Sequence, residues 1–148
     1  MKVCIASDHA GVELKSKLVS FLKALTYDVV DMGPSSVDSV DYPDYALKAS
    51  EAVSRGECQM GVLICGTGLG MSYTANKVKG IRAALCTNEF MARMAKEHND
   101  ANILVLGARV VGTDLALSIT QVFFSTPFSQ NERHVNRLKK ISFYESNC

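Results

Sequence analysis

Short apolar runs alternate with stretches of helical periodicity from one end of this chain to the other. Five of the runs are short enough to be strands and rich in aliphatic side chains; they cover residues 3–7, 29–31, 62–64, 81–86 and 103–106. Strands that alternate with helical segments are typical of parallel sheets whose strands are joined by helical crossovers. The pattern therefore predicts an α/β fold.

Polar residues that stand just before segments of helical periodicity predict where the helices begin. In the first such segment, leucines and Phe21 recur at helical spacing with lysines between them, which indicates one apolar and one solvated face. The helix after Gly70 is expected to run to about Val78, and the next helix to turn Phe90 and Met91 inward. The expected caps are Asp44, Asn88 and Thr113, and a last amphipathic helix is expected to begin near Asn131.

Composition and charge narrow the class of protein. The chain has 148 residues, 47% of them hydrophobic and 21% charged, which suits one globular domain over residues 1–148. Sixteen basic against fifteen acidic residues predict neither a nucleic acid nor a membrane surface as partner. No apolar run is as long as a membrane span, and Asp8 comes too early for a signal peptide. We therefore expect a cytoplasmic protein.

The five cysteines also bear on the compartment. They are odd in number and lack the close paired spacing of zinc sites and redox dithiols. We therefore expect no metal and no disulfide framework, but reduced thiols at Cys4, Cys58, Cys65, Cys86 and Cys148.

The third predicted strand ends in Cys65, which opens directly into a turn with glycines at positions 66, 68 and 70. Open α/β sheets bind ligands at the carboxyl ends of their strands. The glycines allow a tight turn whose amides point at a bound oxyanion. A thiol that faces such amides is favoured as the thiolate, so Cys65 can act as a base or nucleophile. The alternative is a small buried hydrophobe, which the glycines make the weaker interpretation.

Other polar residues follow the predicted strands and helices. Asp8 can orient a hydroxyl and His9 can meet a phosphate, or they are a helix cap and a surface residue. His98 lies at a helix C-terminus with Asn99, where a protonated imidazole is favoured and can act as an acid; the alternative is a helix C-cap. Thr67 and Ser72 add hydroxyls to the glycine turn, or serve only as turn and cap residues.

Three arginines are candidates for binding an anion. Arg133 and Arg137 are one helical turn apart, so both can face one phosphate, or they form a solvated helix face. Arg109, after the fifth strand, either joins them or makes a surface ion pair. The glycine spacing matches neither a dinucleotide fingerprint nor a P-loop, so a phosphorylated metabolite fits better than a nicotinamide or a nucleoside triphosphate.

Six separated motifs lie along nearly the whole chain: Ser7-Asp8-His9-Ala10-Gly11, Asp41-Tyr42-Pro43-Asp44, Gly66-Thr67-Gly68-Leu69-Gly70-Met71-Ser72, Asn76-Lys77, His98-Asn99-Asp100-Ala101-Asn102 and Leu106-Gly107-Ala108-Arg109. In this order they resemble the B-type ribose-5-phosphate isomerases, a family that includes allose-6-phosphate and galactose-6-phosphate isomerases. The resemblance implies a Rossmann-like three-layer α/β/α sandwich on a five-stranded parallel sheet. It also implies a homodimer or dimer of dimers with the active site at the subunit interface, the C-terminal helix from about residue 131 packing there.

The resemblance implies an activity as well. The reaction would be the aldose–ketose isomerisation of ribose 5-phosphate to ribulose 5-phosphate, a step of the pentose phosphate pathway, through a cis-enediolate and without a cofactor. Cys65 would be the base that moves a proton from C2 to C1 of the opened sugar. The enediolate oxygen would be stabilised by Gly66, Gly68, Gly70 and Ser72.

The remaining roles follow from the same resemblance. His98 with Thr67 would open the furanose ring, and Asp8 would hold the substrate hydroxyls. The sugar would be contacted by Tyr42 and Asn99. The phosphate would be clamped by His9, Arg109, Arg133 and Arg137. Some of these residues would come from the partner chain.

Two details place the chain within the family. The family divides between a cysteine base and a carboxylate one helical turn further on; Cys65, followed by Ala75 and Asn76, resembles the cysteine group. Many relatives have Gly-Gly where this chain has Asn131-Glu132. Glu132 either weakens phosphate binding or points to solvent.

Three alternatives stay open. The same chemistry on a six-carbon sugar phosphate differs only in pocket depth. A nucleotide-binding regulatory domain would also suit a glycine turn on a parallel sheet. A purely structural subunit of a hetero-oligomeric isomerase is the third, and the joint presence of Cys65, Thr67 and His98 stands against it.

Overall fold

The computed structural model describes residues 1–147 and has a parallel sheet at its centre. Its strands are β1 (Lys2–Ser7), β2 (Asp28–Asp31), β3 (Met60–Cys65), β4 (Ala83–Leu85) and β5 (Ile103–Gly107). They lie in the order β2-β1-β3-β5-β4, and every neighbouring pair is parallel. The predicted α/β fold on a five-stranded parallel sheet is confirmed. Cys148, expected to be a reduced thiol, lies outside the described residues.

Six α-helices connect and follow the strands. They are α1 (Val12–Ala24), α2 (Tyr42–Ser54), α3 (Leu69–Ala75), α4 (Glu89–Glu97), α5 (Thr113–Ser125) and α6 (Glu132–Ser146). A short 3₁₀ turn, His9–Gly11, joins β1 to α1. Of the helices formed by residues 1–147, none combines the length and apolar character that crossing a membrane requires.

The core has two halves, one on each face of the sheet. Alternate side chains of β1, β3 and β5 point to opposite faces, because the side chains of a strand repeat every two residues. Ile5 and Leu104 meet α1, α4 and α5 on one face, whereas Cys4 and Leu63 meet α2 and α3 on the other. All four side chains are fully buried. The result is a three-layer sandwich.

Several predicted helix ends are wrong by one to three residues. Asp41, rather than Asp44, precedes α2, because Pro43 suits the first turn of a helix and the chain becomes helical earlier than expected. Gly112, rather than Thr113, is the N-cap of α5. Helix α3 ends at Ala75 instead of Val78. Asn88 caps α4 as predicted, its side chain accepting a hydrogen bond from Met91 N at 2.9 Å.

The buried face of α4 was also predicted wrongly. Phe90 is 70% exposed and Met91 is 40% exposed, while the small side chains of Ala92 and Ala95 are buried. Helix α4 therefore packs closely against its neighbours through alanines, and its large apolar residues lie outside. Periodicity locates an apolar stripe, but not which edge of a wide stripe touches the sheet.

The segment between β2 and α2 is tied down beside the carboxyl end of β1. Lys15, buried on α1, donates a hydrogen bond to Asp31 at 2.5 Å, and the same carboxylate accepts one from Gly33 N at 2.9 Å. The carbonyl of Gly33 in turn accepts from Ser7 N at 3.0 Å. These bonds bring the loop that follows Gly33 over the edge of the sheet where β1 and β3 end.

We expect Phe123, in the core half that contains α5, to contribute strongly to stability. Phe123 is fully buried there, so Phe123→Ala should lower the free energy of unfolding by about 3–5 kcal/mol through lost burial and a residual cavity. The matched control is Phe90→Ala on α4, whose exposed ring should leave stability within about 0.5 kcal/mol of the wild type. Urea denaturation measures both. Equal losses would show that the two rings are packed alike.

Candidate active site

The carboxyl ends of β1 and β3 form the centre of the site. The chain leaves β1 toward β2 on one side, and β3 lies on the other side, so a crevice opens between β1 and β3. Ser7 pairs with Ile64 in the register of these strands. Asp8 N then donates to Ile64 O at 3.0 Å, which places Asp8 next to the end of β3, where Cys65 stands.

Cys65 is held by the turn that follows it. Its Sγ accepts a hydrogen bond from Gly68 N at 3.1 Å, and its carbonyl accepts from Ala108 N at 2.8 Å. The side chain is 5% exposed, so it is buried against the α2 and α3 side of the sheet. The sulfur therefore lies at the mouth of the glycine turn, within hydrogen-bond distance of a backbone amide.

Gly68 has to be a glycine. Its φ of +82° is in the left-handed region, and an added Cβ would clash with Leu85 Cδ1 and lie 3.2 Å from the backbone carbon of Leu106. The turn is thus pressed against the ends of β4 and β5. This close fit brings the amide of Gly68 to the sulfur of Cys65.

Asp8 and His9 take up the capping and surface positions that the sequence left open, and both stay within the site. Asp8 is 7% exposed, and its Oδ1 accepts from Ala10 N at 2.9 Å, which caps the 3₁₀ turn. His9 is half-buried, and its Nδ1 accepts from Val40 N at 3.4 Å, in the loop before α2. A carboxylate and an imidazole therefore line the crevice beside Cys65.

Two more side chains close over the glycine turn. Tyr42, at the start of α2, lies so near Gly70 that an added Cβ there would sit 2.6 Å from the tyrosine ring. The exposed Arg109 extends over Gly66, its Cδ 3.5 Å from the position of an added Cβ, and Arg109 N donates to Gly66 O at 2.9 Å. A phenol and a guanidinium thus flank the turn.

Thr67 and Ser72 belong to the same edge. Thr67 is exposed, and its Oγ1 accepts from Leu69 N at 3.3 Å, as a turn residue does. Ser72 lies half-buried in the first turn of α3. The edge therefore gathers ten of the fourteen predicted site residues: Asp8, His9, Tyr42, Cys65, Gly66, Thr67, Gly68, Gly70, Ser72 and Arg109.

The other four lie at the opposite, amino edge of the sheet. His98 caps the end of α4, and Arg82, just before β4, donates from Nε to Asn99 O at 3.0 Å. The segment before α6 joins them, because Ser129 N donates to Glu97 O at 3.0 Å. Arg133 and Arg137 follow on the first turns of α6, both exposed. Strand β5 has five residues, so about 16 Å separates the two edges.

Sequence patterns did not single out two residues of the amino edge. Arg82 holds the turn after His98, donating to Asp100 O at 2.8 Å and to its carboxylate at 3.0 Å. His134 packs on His98, with the ring centroids 4.2 Å apart. His134 directly follows the predicted site residue Arg133, and this was the one sequence signal for it. A single histidine on a basic helix does not predict contact with a distant helix.

Two other buried thiols differ from Cys65 in their surroundings. Burial, together with the neighbouring Cys58, raises the pKa of Cys4 to about 12, and burial raises the pKa of Cys86 to about 12. Neither forms a thiolate near neutral pH. Within residues 1–147, no three His, Cys, Asp or Glu side chains are close enough together to hold a metal ion.

Asn131 and Glu132 form a regular helix start. Asn131 is the N-cap of α6, and its side chain accepts from Arg133 N at 3.1 Å. Glu132 is exposed on the first turn, where an acidic side chain is favoured by the helix dipole.

Comparison with known proteins identifies the family of this chain. Residues 3–141 match the family model described as Ribose/Galactose Isomerase. The chain belongs to this isomerase family. It is 40% identical over 144 residues to ribose-5-phosphate isomerase B of Escherichia coli, an alignment that covers 97% of this chain and 96% of that protein.

Solved structures of this isomerase family are similar to the chain over nearly its full length. Ribose-5-phosphate isomerase B of Clostridium thermocellum is 55% identical, with a TM-score of 0.97 and 99% of each chain covered. The enzyme of Mycoplasma genitalium, solved with bound ribulose-5-phosphate, is 40% identical, with a TM-score of 0.95 and coverage of 99% of this chain and 97% of that one.

The fit of the glycine turn can be tested by stability. Gly68→Ala introduces backbone strain together with a clash, whereas the control Gly56→Ala introduces the same strain, at φ +73°, in open space. We expect Gly68→Ala to lose about 1–3 kcal/mol more free energy of unfolding than Gly56→Ala. Urea denaturation measures the difference. Equal losses would show that Leu85 and Leu106 can shift away from the added methyl group without a loss of stability.

Proposed function

We propose that this protein is an aldose–ketose isomerase that interconverts D-ribose 5-phosphate and D-ribulose 5-phosphate. Family membership supports the reaction class, and the bound ribulose-5-phosphate of the Mycoplasma genitalium enzyme supports the substrate. The observation that carries the proposal is the thiol of Cys65, fixed 3.1 Å from a backbone amide of the glycine turn and next to Asp8. A base beside oxyanion donors is what enolisation of a sugar requires.

In the proposed chemical step, the thiolate of Cys65 removes the proton on C2 of the open aldose. The electrons of that C–H bond form the C1–C2 double bond, and the carbonyl oxygen becomes the enediolate oxygen. The amides from Gly66 to Gly70, with Ser72, donate to that oxygen. The thiol then returns the proton to C1 while Asp8 passes the O2 proton to O1, which leaves a carbonyl at C2.

The other site residues bind the sugar and open its ring. His98 and Thr67 open the furanose before enolisation, and Tyr42 and Asn99 contact the sugar. A dianionic phosphate suits the guanidinium groups of Arg109, Arg133 and Arg137, with the imidazole of His9 as a further hydrogen-bond partner. Proton transfers between these residues and the sugar account for every step, so the proposal needs neither a metal nor an organic cofactor.

We also propose that each active site is shared by two copies of the chain in a homodimer. Cys65 and His98 lie at opposite edges of one sheet, about 16 Å apart by the length of β5, too far for both to touch one sugar. A second copy in two-fold arrangement would bring His98, Asn99, Arg133 and Arg137 to the carboxyl edge of the first. Two identical sites then form.

Helix α6 supports this assembly. Ile141, Phe143 and Tyr144 are between 54% and 73% exposed, which is a large apolar surface for a single chain. Between α6 and the α3–β4 edge runs a groove of about 870 Å³ with Ile81 and Leu138 in its walls. A second copy would cover both.

We place the isomerase in the cytoplasm. The described cysteines, Cys4, Cys58, Cys65 and Cys86, are all unpaired, which suits a reducing compartment. There the reaction would link aldose and ketose pentose phosphates in the pentose phosphate pathway.

The first test is turnover by the wild type and by Cys65→Ala and Cys65→Ser, with EDTA present. We expect the wild type to interconvert the two pentose phosphates, and both variants to lose about 10²–10⁴-fold or more in kcat while staying folded, because the base is gone. Coupled assays with circular dichroism measure both properties. Cys58→Ala, which removes a buried thiol just before the amino end of β3, should keep wild-type kcat.

A fully active Cys65→Ala would remove the cysteine from the mechanism. If the wild type does not convert pentose phosphates, six-carbon sugar phosphates become the proposed substrates. Comparing kcat/KM for the phosphates of ribose, allose and galactose ranks them directly.

Complementation tests the shared site. Cys65→Ala and His98→Ala should each be inactive alone, yet their co-refolded mixture should recover up to about a quarter of wild-type activity, because mixed dimers contain one intact site. The matched control mixes Cys65→Ala with Asp8→Ala, which damage the same edge of the sheet. That mixture should stay inactive. If the first mixture shows no recovery although mixed dimers form, the site is not shared.

A further inference from the structure

His98 is packed against a second imidazole, that of His134. The two ring centroids are 4.2 Å apart, and the planes are inclined by 35°. His134 is 3% exposed, although most of α6 around it is exposed to solvent. The contact joins the end of α4 to the start of α6.

The His134 ring is anchored as well as packed. Its Nδ1 is 2.8 Å from Ser129 Oγ, in a hydrogen bond, and Ser129 N donates to Glu97 O at 3.0 Å. Glu97 immediately precedes His98, so the contacts form a closed loop through His134 and Ser129 back to the end of α4. The His134 ring, hydrogen-bonded at Nδ1 and packed on His98, has little freedom to turn. The His98 ring lies against this fixed surface.

The charges around the pair favour a neutral His134. Burial lowers the pKa of His134, and the nearby side chains of His98, Arg133 and Arg137 lower it further, while Glu97 raises it. A neutral His134 ring, 4.2 Å from the ring of His98, places no positive charge against it. Glu97 Oε1 lies 3.9 Å from His98 Nε2.

We propose that His134 is a positioning residue for the ring-opening step, holding the His98 imidazole in the orientation that step needs. The proposal rests on the function proposed above, in which His98 opens the furanose. His134 is nearly closed to solvent, so it acts through His98 and not by contact with the sugar. Its removal should therefore slow ring opening and leave enolisation by Cys65 unchanged.

Two reactions separate these steps. Conversion of ribose 5-phosphate requires the ring to open. Ribulose 5-phosphate stays acyclic, because the hydroxyl on C5 that would close a five-membered ring onto C2 carries the phosphate. Exchange of its C1 hydrogen with D₂O therefore needs the base but no ring opening.

The experiment measures both reactions for the wild type, His98→Ala, His134→Ala, His134→Phe and Ser129→Ala. We expect His134→Ala to lose about 10–100-fold in kcat for ribose 5-phosphate, as a misplaced catalytic group does, with little change in KM. Its C1 exchange rate should stay within about threefold of the wild type. His98→Ala should show the same split more strongly.

His134→Phe keeps an aromatic ring against His98 and should recover most of the lost kcat. Ser129→Ala keeps the His134 ring but removes its anchor, together with the hydrogen bond from Asn131 N to Ser129 Oγ at 3.3 Å. It should show a smaller loss with the same split, which keeps the test valid if His134→Ala does not fold.

The proposal is overturned if conversion and exchange fall together, if neither falls, or if His134→Phe is no better than His134→Ala. A wild type without either reaction would instead overturn the proposed function. If His98→Ala lowered conversion and C1 exchange equally, His98 would have no specific role in ring opening. His134 would then have no role in positioning it for that step.

Discussion

The site depends on the parallel pairing of β1 with β3. Because Ser7 is opposite Ile64, the first amide beyond β1, that of Asp8, donates to the carbonyl just before Cys65. A carboxylate and a thiol from distant parts of the chain thereby become neighbours at the crevice between two strands. Both faces of β1 are buried, so a slip of one residue would exchange Val3 and Ile5 with the smaller Cys4 and Ala6 on the opposite face. Close packing of the two core halves therefore supports this register.

The amino edge has its own set of fixed contacts. Arg82 holds the turn at Asn99 and Asp100, while Ser129 ties the start of α6 to the end of α4. In a parallel α/β fold, turns that follow strands gather at one edge, and the ends of the returning helices gather at the other. Residues from the two kinds of connection cannot meet in one copy, so symmetry between two copies is the simplest way to combine them.

Close packing explains where local patterns were wrong. Helix α4 packs through Ala92 and Ala95, so Phe90 and Met91 remain outside although they lie on the same apolar stripe. Helix α3 ends at Ala75, where Asn76 turns its side chain to Ala83 of β4, accepting from N and donating to O, each at 2.9 Å. Both outcomes follow from contacts with elements distant in sequence, which periodicity and capping rules do not include.

The amino-acid sequence by itself determined the alternation of strands and helices, the glycine turn after Cys65 and, through six ordered motifs, the family. These are local properties, which depend on the period of apolar residues, on the residues of the turns and on the spacing of the motifs. Only the tertiary structure decided that His98, Asn99, Arg133 and Arg137 lie at the edge opposite Cys65, and that His134 packs on His98. The reason is physical: which edge a residue reaches depends on the direction of its strand and helix in the assembled sheet, and which ring it touches depends on packing between segments far apart in the chain.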